Sequence, residues 1–145
     1  MPMRTAPMLE PSLALQGALK ELLTADPAVS ALVAADSIRS GDVRPDKLPA
    51  ILFSNGTVQM LGYGSGRQFH ARVLMDLHIW ALSDGPDHAK TIGFAIANAL
   101  LEGPDDGEDF QFDEFDHVRT VWPRDPDPRF GHGVLSVEAV IRWSL

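Results

Sequence analysis

The longest regular pattern in the chain is an alternation from Gln68 to Leu82. Phe69, Ala71, Val73, Met75, Leu77, Ile79 and Ala81 are apolar, and His70, Arg72, Asp76, His78 and Trp80 fall between them. Only Leu74 and Leu82 break the polar set. A period of two predicts a strand with one buried face. Its residues would reach roughly 50 Å at about 3.3 Å each, which is long for a small domain. Part of this strand is therefore expected to overhang, bend or pair outside the domain. Val134 to Leu145 alternates in the same way, with Leu135, Val137, Ala139, Ile141, Trp143 and Leu145 on one face. Ser136, Glu138, Arg142 and Ser144 take the other.

Elsewhere the period is helical. Pro11-Ser12 opens a segment in which Leu15, Ala18, Leu19, Leu22 and Leu23 form one stripe. Asp26-Pro27 starts a second helix, predicted to run to Ala34, with Asp as cap and Pro where its missing N–H costs nothing. Ser83-Asp84-Gly85-Pro86 ends the long strand and caps a third helix over Asp87 to Leu101. Ala89, Ile92, Ile96, Ala99 and Leu100 are its buried face, and Gly103-Pro104 stops it. Shorter strands are expected at Ser37 to Ser40, Leu48 to Ser54, Phe110 to Phe112 and His117 to Trp122. Thr57 to Leu61 extends the second of these past a kink at Asn55-Gly56. Gly62 to Gly66 reads as a turn, and Pro123 to Gly133 as a long exposed loop. The order α-α-β-β-β-α-β-β-β predicts an α+β fold, an antiparallel or mixed sheet with helices packed on it.

Length adds one constraint: 145 residues suit a single domain, placed at residues 11–145 behind a flexible arm, Met1 to Glu10. That arm lacks the apolar run of a secretory signal, and no stretch is long enough to span a membrane. The chain has no cysteine, which removes disulfides, thiolate metal sites and cysteine nucleophiles. Net charge is −8, from 12 Lys and Arg against 20 Asp and Glu. The surplus is local. Glu102, Asp105, Asp106, Glu108, Asp109, Asp113, Glu114 and Asp116 lie in one stretch with no Lys or Arg, and the rest of the chain is balanced. Bulk electrostatics therefore argue against gripping nucleic-acid phosphates.

Catalytic motifs are missing. Gly62-Tyr63-Gly64-Ser65-Gly66-Arg67 has Arg where a dinucleotide fingerprint needs its third Gly, and a strand follows instead of a helix. The five histidines have no metal-ligand spacing, and the acidic stretch lacks the order of a calcium hand. His70, Asp76 and His78 on the polar strand face are the only candidates for an enzyme. No cofactor or metal is expected. Among the tryptophans, Trp143 sits on an apolar face and reads as core. Trp80, on the polar face with Arg72 and His78, reads equally as an interface aromatic or as one covered by a loop.

Taken in succession, several segments resemble the tail terminators of long-tailed phages and of phage-like gene transfer agents. They are Leu15 to Leu19, Leu23 to Val33, Lys47 to Phe53, Leu77-His78-Ile79-Trp80-Ala81, Ala89 to Leu101, Arg124-Asp125-Pro126-Asp127 and His132-Gly133-Val134-Leu135. Their order and spacing carry the likeness over most of the chain. The acidic stretch and the N-terminal arm depart from the family pattern. The resemblance implies an α+β subunit with no enzymatic activity or cofactor. It implies a ring of six copies, assembled in the bacterial cytoplasm and located at the neck of the virion. There it would cap the tail tube protein, join the head-tail connector and let DNA pass through its lumen without specific binding.

A cyclic ring needs two different patches per subunit. Candidate interface residues are Arg67, Arg72, His78, Trp80, Asp105, Asp106, Glu108, Asp109, Arg124 and Arg129. The acidic segment either meets a neighbour's arginines or lines the lumen, where it would repel DNA. The alternative to a structural assembly protein is a small acidic adaptor that binds a basic protein.

Overall fold

The computed structural model describes residues 10–64, 67–82 and 87–144. The expected arm, apart from Glu10, the turn residues Ser65 and Gly66, and the Ser83 to Pro86 cap lie outside the described residues.

Helix α1, Pro11–Ala25, starts on Glu10, whose carboxylate accepts from the backbone N–H of Ser12 (2.6 Å) and Leu13 (3.1 Å). It ends on Asp26, which also caps α2, Pro27–Ser30, by accepting from the Val29 N–H at 3.1 Å. One aspartate thus sets the joint between the two helices. Six strands follow the chain as β1 (Ile38–Ser40), β2 (Ala50–Phe53), β3 (Thr57–Gly64), β4 (Gln68–Leu82), β5 (Phe110–Val121) and β6 (Phe130–Ser144), with α3 (Asp87–Ala99) between β4 and β5. They form one mixed sheet in the order β1-β2-β4-β6-β5, with β3 also on β4. The α+β class follows directly.

The helices cover one face. Leu15, Leu19 and Leu23 of α1, Ile92 and Ile96 of α3, and Val73, Leu77, Ile79, Leu135 and Ile141 of the two long strands are all 0 % exposed. They belong to a single core cluster. Each such side chain contributes about 1.5–3 kcal/mol on burial. Glycine permits one close approach. The Trp122 indole wedges between Gly93 of α3 and Gly133 of β6, where an added Cβ would lie 2.6 and 2.5 Å from its ring.

Several details differ from the sequence reading. β4 does not overhang: β6 pairs with it over its whole length, from Gln68 opposite Ser144 to Leu82 opposite Phe130. The partner strand begins at Phe130, four positions before Val134, because Gly131 and Gly133 look like loop but sit buried against neighbours. Phe110 to Val121 is one strand, not two; bulges at Phe112/Glu114 and His117/Arg119 break its period and hide its continuity. The second helix stops at Ser30 and the third at Ala99. Gly103, at φ 74°, donates its N–H to the Leu100 carbonyl and ends that segment as expected. β2 and β3 lie end to end along the same side of β4, joined through Ser54, whose hydroxyl accepts from the Asp76 N–H at 3.0 Å. The extension past Asn55-Gly56 is thus a strand of its own, in line with β2, with Gly56 at φ 79° making the turn.

Candidate assembly surfaces

The face of the sheet away from the helices is polar and largely uncovered. Two of its arginines, Arg72 and Arg142, are matched to acids across the strands, whereas Arg39 and Arg119 on the same face have no ion pair among the described residues. Arg72 Nε lies 2.7 Å from Glu138 Oε1 on β6, an ion pair whose N–H is too bent to count as a hydrogen bond. Arg142 Nε reaches both oxygens of Asp113 on β5, at 3.1 and 3.2 Å, and His70 Nε2 lies 3.6 Å from the same carboxylate. The Ser136 hydroxyl donates to Asp76 at 2.6 Å. Each of these side chains is partly exposed, so the pairs contribute mainly geometry and charge balance.

At the other end of this face sits an aromatic group. Trp80 is only 8 % exposed, packed with Ala50, Leu52, Leu48 and Phe130. His132 stacks on it with ring centroids 3.8 Å apart and planes 5° from parallel. His78 Nδ1 meets His132 Nε2 at 2.9 Å. Burial, and secondarily the neighbouring His78, push the His132 imidazole down to about 4, with Asp125 acting weakly the other way. The Arg44 guanidinium lies 3.8 Å above the Phe130 ring and pairs with Asp125 at 3.1 Å, so the β5–β6 connection is pinned over this cluster. Trp80 is therefore covered by its own chain, as in the second of the two readings of this aromatic.

The remaining candidates scatter. Arg67, exposed and at φ 61°, lies at the tip of the β3–β4 hairpin. Asp105, Asp106, Glu108 and Asp109 are all exposed in the loop before β5; Asp106 accepts from the Phe112 N–H at 2.8 Å and shapes that loop. Arg124 lines a shallow cleft of about 520 Å³ with Lys90, Trp122 and His132. Arg129 is engaged by Asp127 at 2.7 Å, and that guanidinium holds the Asp127 carboxyl down to about 2. The structure thus brings Arg72, His78 and Trp80 onto one face. The acidic loop and Arg67 lie at one end of the sheet, on opposite edges, and Arg124 and Arg129 sit in the β5–β6 connection. Sequence reasoning missed Asp113 with Arg142, and His132 with His78. The alternation of β6 did place Glu138 and Arg142 on the polar face, but nothing local in the chain names their partners.

Among the described residues no three His, Asp or Glu side chains converge as metal ligands would, and no helix is long and apolar enough to cross a membrane. The arrangement offers surfaces and charge balance.

Comparison with known proteins agrees. The fold superimposes on a chain of the native gene transfer agent virion with a TM-score of 0.76 at 17% identity, covering 93% of this chain and 99% of that one. On the gp17 protein of bacteriophage SPP1 the TM-score is 0.53 at 20% identity, covering 94% and 95%. Among curated proteins none matches. Residues 17–142 match the family described as tail completion protein gp17. The chain therefore belongs to the gp17 tail-completion family, whose members are structural components of phage tails and not enzymes.

Proposed function

We propose that this chain is a tail terminator that closes into a ring, with six copies as the expected number. The ring would cap the tail tube and join it to the head connector, with DNA passing through the lumen. The observation that carries this reading is the two-sidedness of the sheet: helices cover one face, and the other is open and polar, with Arg72 and Arg142 each paired to an acid. Turned inward, the open face would line the passage. Arg72 and Arg142, already neutralised by Glu138 and Asp113, would not hold phosphates and slow a moving duplex. The family membership and the likeness to a virion chain support the setting.

Imaging particles assembled without this chain tests the proposal. Tails of uncontrolled length, or tails unattached to heads, are the expected result. Normal tails joined to heads would reject it, and binding of the monomer to a basic protein would then favour the acidic adaptor.

A further inference from the structure

The sheet has two long open edges, and they differ. On one side β1 shields β2, but among the described residues β3 has no strand beyond it. On the other side β5 is outermost. Natural edge strands are usually guarded by charge, proline or bulges, since an unpaired row of N–H and C=O groups invites another strand. The β3 sequence, Thr57–Gly64, contains neither a charged residue nor a proline. Met60 and Leu61 on it are 58 % and 41 % exposed. β5, by contrast, carries Asp113, Glu114 and Asp116; both strands are bulged, β3 at Met60/Gly62 and β5 at Phe112/Glu114 and His117/Arg119. One edge is uncharged and the other is acidic.

Strand sense makes them compatible. Where β3 is present the sheet runs β3-β4-β6-β5, every neighbour antiparallel. Four alternating strands leave the two edges running in opposite senses. A copy placed beside the first in the same orientation would therefore offer its β5 antiparallel to β3, the sense that pairs more strongly per residue.

Height matches as well. Tyr63, Phe69, Trp143 and Phe110 are register partners in one row across the four strands. Arg67 follows that row at the hairpin tip, and Asp105 to Asp109 precede it in the loop leading into β5. Basic tip and acidic loop thus lie at the same end of the sheet, on opposite edges. If the open face looks toward a ring axis, neighbours follow one another along the edge direction at equal height. The Arg67 tip of each copy then meets the acidic loop of the next. Among the described residues Arg67 has no ion pair of its own.

We infer that the ring contact is a heterologous strand addition, β3 of one copy against β5 of the next, with Arg67 docked on the neighbour's Asp105–Asp109 loop. This rests on the ring reading above. The contact accounts for the difference in charge: the uncharged edge is covered in the assembly, and the acidic edge rejects partners without the matching charge.

The absence of cysteine makes the test clean. Gln59 and Glu114 share one row on the open face, through Arg72 and Val140. Full chains carrying Gln59→Cys are mixed with full chains carrying Glu114→Cys and treated with a short thiol cross-linker, while light scattering after size exclusion reports mass. The expected result is cross-linked dimers in the mixture and none from either variant alone. The exposed Met60→Lys should raise the concentration needed for assembly at least tenfold, and Arg67→Glu should do so in a salt-dependent way. A closed ring that shows no 59–114 cross-link and ignores Met60→Lys would overturn the edge contact and leave the ring intact. Gln59→Cys chains that cross-link to each other would indicate a two-fold β3 pair and also overturn it. A chain that stays monomeric and uncross-linked at millimolar concentration would remove both the contact and the ring.

Discussion

The wedge of Trp122 between α3 and β6 gives a prediction with a change of sign. In Gly93→Ala the new methyl would stand 2.6 Å from the indole and 3.3 Å from the Ile79 Cδ1. Overpacking of this kind costs about 1–3 kcal/mol. Against it, alanine in a helix interior is favoured over glycine by about 1 kcal/mol. The net expectation runs from near neutral to a loss of about 2 kcal/mol. Trp122→Ala alone should cost roughly 2–3 kcal/mol, below the value for a fully buried Trp because the ring is only partly covered. In the Trp122→Ala background the indole clash is gone and Ile79 can yield by a rotamer adjustment. There Gly93→Ala should be neutral or stabilising by about 0.5–1 kcal/mol, a coupling of about 1–3 kcal/mol between the two sites. Urea unfolding followed by circular dichroism measures all four proteins, and each kcal/mol should move the thermal midpoint by about 2–4 °C. Equal effects of Gly93→Ala in both backgrounds, or stabilisation by it in the natural sequence, would refute the wedge.

Other consequences are simpler. Asp26→Ala removes the cap of α2 and should cost about 1 kcal/mol in the same unfolding assay. His132 is held neutral: its folded value, about 4, lies below the ordinary value of about 6.5, so the unfolded chain takes up the proton first. Its contribution to stability should be complete above pH 6.5 and be lost as pH falls toward 4, a slope that His132→Gln should flatten in pH-dependent melting curves. Converting Asp113→Asn and Glu138→Gln together uncovers Arg142 and Arg72, and duplex DNA should then be retained at low salt and released as salt rises, where the natural chain shows little retention. A retardation assay that separates the two proteins at no salt concentration would count against charge matching on the open face.

Much of the scaffold is legible along the chain. The period of two over Gln68 to Leu82 and the leucine stripe of α1 reflect burial of one face, and burial of one face is a local pattern. Asp26-Pro27 and Gly103 mark helix ends because capping is local too. Legibility stops where glycine or a bulge interrupts the pattern. Gly131 and Gly133 read as loop, although the missing side chain of Gly133 is what lets the Trp122 ring approach β6. The bulges of β5 flip its faces twice, so no single alternation survives from Phe110 to Val121.

The α+β class, the two long half-buried strands, the acidic stretch and the lack of cysteine could all be read along the chain. Which charges cancel, that Trp80 lies under His132 and Phe130, and that an uncharged β3 and an acidic β5 are the outer strands among the described residues were settled by the fold. The reason is physical. Periodicity records whether a residue faces the core, and that information lies within a few neighbours. Pairing is settled by packing between segments far apart in the chain, Arg72 with Glu138 and His78 with His132 among them, and no local pattern carries it.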